Sequence, residues 1–348
     1  MSKTDPLYLK NFWYYAFHCH QLKPGKLVQK QILGERIVFG RNEQGAPFAL
    51  VDNCPHRGVP LSKGWFDGKT IQCCYHGWKF DCHGGCQAIP ALADEKIDIT
   101  KIKVYRYPCK EINDTVWVYI PHNKLKLEQA ERQLPDLLVA PDSKFMHVET
   151  IRLPTDIDHS VIGLIDPAHV TFVHQSWFWR TAGNARLKEK HFEPDGLGFK
   201  MLRHKPSANS KGYGVLKGGS STEINFQLPG NRIEHIQVGN KEIVSITTLT
   251  PVNENETELN HVVYTSIGLA KLLWTPLKSL GKTFIGQDLG VFHKLREGLE
   301  TNPTLMLLGD PDAQAKWYFE LKRSWNNAIT EGVPFVNPLS LQSLRWIT

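Results

Sequence analysis

CPHRGVPLSKG, from Cys54 to Gly64, and CCYHGWKF, from Cys73 to Phe80, decide how the first third of this chain is read. Cys54 and His56 form a C-x-H pair, and Cys73 and His76 a C-x-x-H pair, with sixteen residues between the two. Two thiolates and two imidazoles on two loops suit a tetrahedral zinc ion. They equally suit a [2Fe–2S] cluster in which both cysteines hold one iron and both histidines the other, the imidazoles raising the reduction potential.

The surrounding chain favours no other use for these residues. All seven cysteines (Cys19, Cys54, Cys73, Cys74, Cys82, Cys86 and Cys109) fall in the first third of 348 residues. An odd count so placed is a poor disulfide framework, and the asymmetry suggests two parts with different chemistry. Apolar and charged fractions of 41% and 22% are those of a globular protein. The net charge of +6 is spread along the chain, with no basic block or motif for nucleic acid. No apolar run is long enough to span a bilayer, and MSKTDPLYLKNFWYYAF lacks the features of a secretory signal, so the expected location is cytoplasmic.

Short strands and turns run from Lys26 to about Ile120. ERIVFG and PFALVD flank the turn-rich NEQGA as a hairpin, and DTVWVYI alternates like a half-buried strand. A polar stretch follows, which places the domain boundary between residues 125 and 126. Strand-like runs separated by LPGN, GNKE and NENETE fill Tyr213 to Ile267. Helices are expected from about Phe284 to Leu299 and after GDPD, with Asp310 as N-cap and Pro311 in the first turn.

With Gly58, Leu61 and the Tyr75–His76–Gly77–Trp78 run, the two loops resemble the Rieske domain of ring-hydroxylating oxygenases, over roughly residues 7 to 120. The resemblance implies that Cys54, His56, Cys73 and His76 hold a [2Fe–2S] cluster. Rieske proteins of cytochrome complexes add a disulfide between the two loops, but its positions are Val59 and Tyr75 here, so that subtype is disfavoured. Cys82, His83 and Cys86 in DCHGGC read as a glycine-rich turn with free thiols rather than a further metal site.

GLIDPAHVTFVHQ then resembles the D-x-x-H-x4-H motif of the same family, with Asp166, His169 and His174 in place. The resemblance implies a mononuclear Fe(II) held by His169, His174 and a carboxylate on a C-terminal helix, a facial triad with open positions for O2. Of the later aspartates, Asp195 lies in a turn and Asp310 and Asp312 start a helix, whereas Asp288 sits in the apolar TFIGQDLGVF and is the chosen third ligand. Many relatives carry Asn where this chain has Gly163. Asp166 is implied to bridge His169 to His76 of the partner subunit in a homotrimer.

The implied architecture is α+β: an all-β Rieske domain over 1–125, then a helix-grip-like catalytic domain with a curved antiparallel sheet over 126–348. In length the chain is similar to the single-subunit-type oxygenases, which hydroxylate or oxidatively demethylate. No dinucleotide or flavin fingerprint occurs, so NAD(P)H would act only through a separate reductase, with or without a ferredoxin. Ile162, Ile165, Trp177, Phe178 and Trp179 around the motif suggest a bulky apolar substrate, aromatic or steroid-like. The alternative is a Rieske electron carrier without oxygenase activity. IGLAKLLWTPLKSLGKTF, interrupted by Pro276, reads as a lid or core segment ahead of a membrane-surface one.

Overall fold

The computed structural model describes residues 7–93, 96–125, 134, 136–174, 185–205, 219–268 and 270–348, with side chains at 270–280 and 284 left aside. Contacts gather into two compact units: Lys10–Pro135, and Met1–Leu9 together with Asp136–Thr348. The expected boundary meets the stretch 126–133, which lies outside the described residues. Leu7 and its neighbours group with the second unit, where Lys322 Nζ donates to the Leu7 carbonyl at 3.3 Å.

In the first unit, β1 (Phe12–His18) pairs antiparallel with β11 (Thr115–Ile120), and β10 (Cys109–Ile112) flanks β11. The alternating DTVWVYI predicts a half-buried strand, yet every residue of β11 is buried, as is every residue of β1. Both faces of this ribbon are covered, and Trp117 Nε1 satisfies itself on Thr115 Oγ1 at 2.8 Å. The expected hairpin is β3 (Glu35–Arg41) with β4 (Pro47–Val51), extended by β2 (Val28–Ile32) and β9 (Arg106–Tyr107). A small sheet follows: β5 (Trp65–Phe66), β6 (Thr70–Gln72), β7 (Lys79–Asp81) and β8 (Cys86–Ala88). One cysteine-histidine loop precedes this sheet and the other joins β6 to β7. Both root in a core of Leu50, Leu61, Ile71 and Phe80.

The second unit is built on an eight-stranded antiparallel sheet. Its strands are β12 (Lys144–Leu153), β13 (Leu187–Asp195), β14 (Gly198–His204), β15 (Ser220–Gln227), β16 (Asn231–Val238), β17 (Lys241–Asn253), β18 (Glu256–Thr265) and β19 (Gln342–Ile347). They run in the order β12-β18-β17-β16-β15-β14-β13-β19, which leaves β12 and β19 at the edges. The described helices are α1 (Ile157–Ile165), the single turn α2 (Val170–Val173), α3 (Ala270–Leu299) and α4 (Ala313–Glu331).

Packing places the helices on one side of the sheet. Trp317 of α4 meets Phe192 and Phe199 edge-on at centroid distances of 5.3 and 5.2 Å. Asp158 of α1 accepts from Tyr318 Oη at 2.6 Å and from Lys322 Nζ at 2.7 and 2.8 Å, a buried ion pair that fastens α1 to α4. Removing one partner of such a pair strands a buried charge, at about 3–5 kcal/mol.

Two helix boundaries differ from expectation. α3 begins at Ala270 and runs through Pro276, the other turns of a 30-residue helix carrying it past the hydrogen bond that a proline cannot donate. α4 begins at Ala313 with Asp312 as N-cap residue. Asp310 is no side-chain cap: its Oδ2 accepts from the Arg345 amide of β19 at 2.8 Å, tying the helix start to the edge strand. No helix among the described residues is long and apolar enough to cross a membrane.

Candidate metal centres

The two loops of the first unit share one backbone plan. Cys54 N–H donates to the Val59 carbonyl and Cys73 N–H to the Trp78 carbonyl, at 2.9 and 2.8 Å. Four residues after each cysteine stands a glycine whose N–H returns to the cysteine carbonyl, Gly58 at 2.9 Å and Gly77 at 3.1 Å. Both glycines have left-handed φ, +77° and +72°, which side chains rarely adopt. The loops therefore close on themselves and hold Cys54 and Cys73 buried, each 2% exposed.

The side chains sort in pairs. Burial pushes the Cys54 thiol up to about 11, with Cys73 beside it adding to the rise, so two ionised sulfurs here call for a cation. The His56 and His76 rings lie 4.5 Å apart on the outer side, with Trp78 stacked on His56 at 4.6 Å. His76 Nδ1 is buried and makes no hydrogen bond. Four ligands of one zinc would lie within about 4 Å of one another. Among the described residues, Cys54, His56, Cys73 and His76 do not gather even in threes within 4.8 Å. Sulfurs paired inside and imidazoles paired outside fit a cluster of two irons.

The other cysteines are free. Cys82 Sγ donates to the Lys69 carbonyl at 3.4 Å and Cys86 Sγ lies 3.8 Å from the Ala88 carbonyl. His83 Nδ1 lies 2.6 Å from Arg106 Nη1.

In the second unit, His169, His174 and Asp288 come together with their ligand atoms all within 4.8 Å of one another. Asp288 Oδ1 is 3.2 Å from His174 Nε2 and 3.7 Å from His169 Nε2. α1 delivers the chain to Asp166, α2 separates the histidines by one turn, and α3 packs on α2 to supply Asp288. Asp166 Oδ2 stands 3.5 Å from His169 Nδ1, and its Oδ1 accepts from the Ala168 amide at 2.6 Å. Burial alone would lower the His169 pKa. The hydrogen bond and charge of Asp166, with the charge of Asp288, outweigh it and raise the pKa.

Sequence reasoning missed Gln287. Its Oε1 lies 3.2 Å from His174 Nδ1, which leaves Nε2 turned toward Asp288. Each histidine thus has one nitrogen toward the third ligand and the other held by a neighbour, the arrangement that fixes tautomer and ring orientation in metal sites. Position beside Asp288 was the one signal available for Gln287. Gly163 also finds a reason: a Cβ there would stand 2.6 Å from Phe292 Cζ, so its absence lets α3 seat against α1.

A glycine-closed loop pair with cysteines inside and histidines outside defines a Rieske centre, and residues 12–108 match the Rieske [2Fe-2S] domain. The likeness to solved structures extends well beyond the Rieske domain. The chain superposes on dicamba monooxygenase bound to dicamba with a TM-score of 0.74 at 19% identity, covering 92% of this chain and 98% of that one. NdmA of Pseudomonas putida CBB5, with caffeine, gives 0.75 at 18% identity and 92% of each chain. In sequence, the chain is 34% identical over 174 residues to chlorophyllide a oxygenase of Chlamydomonas reinhardtii, covering 49% of this chain and 25% of that one. It is 31% identical over 167 residues to the 3-chlorobenzoate-3,4-dioxygenase oxygenase subunit of Comamonas testosteroni, covering 48% and 38%. The chain spans between a quarter and a half of the length of the curated relatives it matches.

Proposed function

We propose that this chain is the terminal oxygenase of a multicomponent system, hydroxylating or oxidatively demethylating a bulky organic substrate with O2. Electrons come from NAD(P)H through a separate reductase, with or without a ferredoxin, and enter at the cluster held by Cys54, His56, Cys73 and His76. The observation that carries this reading is the second set of ligands. An electron carrier has no use for a His169–His174–Asp288 triad in a separate unit.

A facial set of two imidazoles and one carboxylate fits Fe(II), which, when bound, supplies open positions for O2 beside the substrate. The protein's own part is orientation. Gln287 holds the His174 ring by accepting from Nδ1–H, and Asp166 does the same for His169, so both Nε2 lone pairs face one point. Asp166 further bridges to His76 of the partner subunit in a homotrimer, which joins the two centres across subunits. For the substrate, Ile162 and Ile165 close α1 beside the motif, while Trp177, Phe178 and Trp179 lie outside the described residues.

Iron content tests the reading. Anaerobically reconstituted protein should hold about three irons per chain, two in the cluster and one in the triad. A stoichiometry of about two, with an intact Rieske spectrum, supports the carrier instead.

A further inference from the structure

α3 supplies Asp288 and Gln287, yet little in its own sequence fixes where it lies. It carries Gly281, Gly286, Gly290 and Gly298, a residue type with poor helix propensity, so packing must hold it in place. A Cβ built on any of these four meets nothing within 4 Å, so none of them seats the helix. Ile285, Asp288, Phe292, Leu295 and Leu299 follow one another at spacings of three and four, and each is buried or half-buried. Among the described side chains of α3, Phe292 is the one that is buried, at 8% exposed.

Phe292 seats on α1. A Cβ on Gly163 would stand 2.6 Å from its Cζ, with Cε1 and Cε2 at 3.3 and 3.6 Å, so the ring packs onto bare backbone. Gly163 stands three residues before Asp166, and Phe292 stands four after Asp288, one turn along the same side of α3. This contact joins the helix that leads to Asp166 and His169 to the helix that brings the third ligand.

Of the two helices, α1 is the fixed one. Its Asp158 pairs with the buried Lys322 at 2.7 Å, and its Val161 fits against Gly230, 3.4 Å from where a Cβ would be. A side chain at position 163 would regain ordinary carbon–carbon spacing only through a shift of about 1 Å. Swinging the Phe292 ring away would expose it and empty the socket. α3, seated through one buried ring, is therefore the partner that gives way. Metal ligands tolerate distance errors of about 0.2 Å, so a shift of that size takes Asp288 out of reach.

We infer that Phe292, seated on Gly163, is a positioning residue: it sets the depth of α3 and so holds Asp288 and Gln287 at the triad. The inference rests on the oxygenase reading, which makes Asp288 an iron ligand, and adds the device that brings it there.

Ferrous affinity of the Rieske-loaded holoprotein, measured by chelator competition, tests this. Gly163→Ala should bind iron about tenfold or more weakly, as when a metal ligand loses its outer support. Gly290→Ala, the same change where a Cβ meets nothing, should keep wild-type affinity. Gly163→Ala/Phe292→Leu, whose shorter side chain leaves room for the new Cβ, should regain most of what Gly163→Ala loses, since residues in contact couple. The EPR line shape of the ferrous site's nitric oxide adduct should change in Gly163→Ala and return in the double variant. A merely structural contact would lower the melting temperature and leave that line shape alone.

Wild-type affinity in Gly163→Ala, or a double variant that binds no better than Gly163→Ala, overturns the inference. Should Gly163→Ala not fold, Phe292→Ala decides: it should lose affinity about tenfold with the Rieske signal intact, and undiminished affinity there overturns the inference equally. Asp288→Ala separates the two readings. Iron retained in that variant removes the ligand itself and the inference with it, whereas iron lost there but kept in Gly163→Ala removes only the positioning role. A protein that shows the expected affinities but oxidises nothing with a surrogate reductase breaks the oxygenase reading and leaves the role of Phe292 standing.

Discussion

Cys54 and Cys73 each sit in a loop that folds back on itself through a left-handed glycine, so the backbone alone places the sulfurs. His169, His174 and Asp288 meet because α2 and α3 pack, and their rings are aimed by side chains, Asp166 and Gln287. The first centre depends on two short loops, Cys54–Gly64 and Cys73–Phe80, and the second on the assembly of a whole unit. A local centre should survive damage elsewhere in the chain. An assembled one should be sensitive to changes that never touch the metal.

The largest expected effect is a double dissociation. Asp288→Ala should lose mononuclear iron and turnover while the Rieske EPR signal stays. Cys73→Ala should lose that signal while the triad still takes up one ferrous ion. If either substitution empties both centres, the claimed independence of the two units is wrong.

Next come the residues that aim the triad's rings. Removing the partner of a metal-bound imidazole typically costs about 10–100-fold in metal affinity or activity. Gln287→Leu should fall in that range for iron affinity, read by chelator competition. Asp166→Ala should keep much of its iron yet fail to turn over, and its reduced cluster should stay reduced when substrate and O2 are added. Fast cluster oxidation coupled to product in Asp166→Ala would remove the bridging role, and an active monomer in solution would remove the inter-subunit route.

The second unit should also respond to acid. His261, depressed to about 4 chiefly by burial, refuses a proton that the unfolded chain accepts near 6.5. Stability from this group is therefore complete above about 6.5 and lost as pH falls toward 4, by about 3 kcal/mol at most. His159 pulls the other way, since its hydrogen bond to Asp156 raises its pKa. Urea midpoints of wild type and His261→Gln between pH 7 and 4 should show a shallower loss in the variant. Parallel curves would place the acid sensitivity elsewhere.

The contrast between the centres is also why one was legible in the sequence and the other only through resemblance. A loop that closes by itself must carry its cysteine, histidine and glycine at fixed spacing, and Cys54–Gly64 and Cys73–Phe80 do. The triad's carboxylate was reachable only by elimination among later aspartates, and Gln287 had no pattern at all, because helix packing chose it. Secondary structure failed where tertiary context overrode a local signal. β11 alternates yet is buried on both faces, α3 continues through Pro276, and Asp310 gave up a cap for the Arg345 amide of the edge strand.

The smallest predicted effect tests the backbone plan itself, by comparing its two copies. Gly58 and Gly77 hold nearly the same left-handed φ, so alanine at either position incurs a similar conformational strain, about 1–2 kcal/mol. Their surroundings differ. A Cβ on Gly58 would come no closer than 3.7 Å to Asn53 Oδ1, an ordinary contact. On Gly77 it would stand 3.1 Å from Pro90 Cγ, part of a ring with little freedom to give way. Gly77→Ala should therefore destabilise the Rieske unit more than Gly58→Ala, by about 1 kcal/mol of overpacking beyond the shared strain. Thermal loss of the cluster's visible absorbance measures the difference, while mononuclear iron should be unaffected in both variants. Equal losses would show that Pro90 moves aside and that backbone strain alone sets the cost. No loss at either position would mean that the turns tolerate a side chain, and that the glycines are not what holds the cysteines in place.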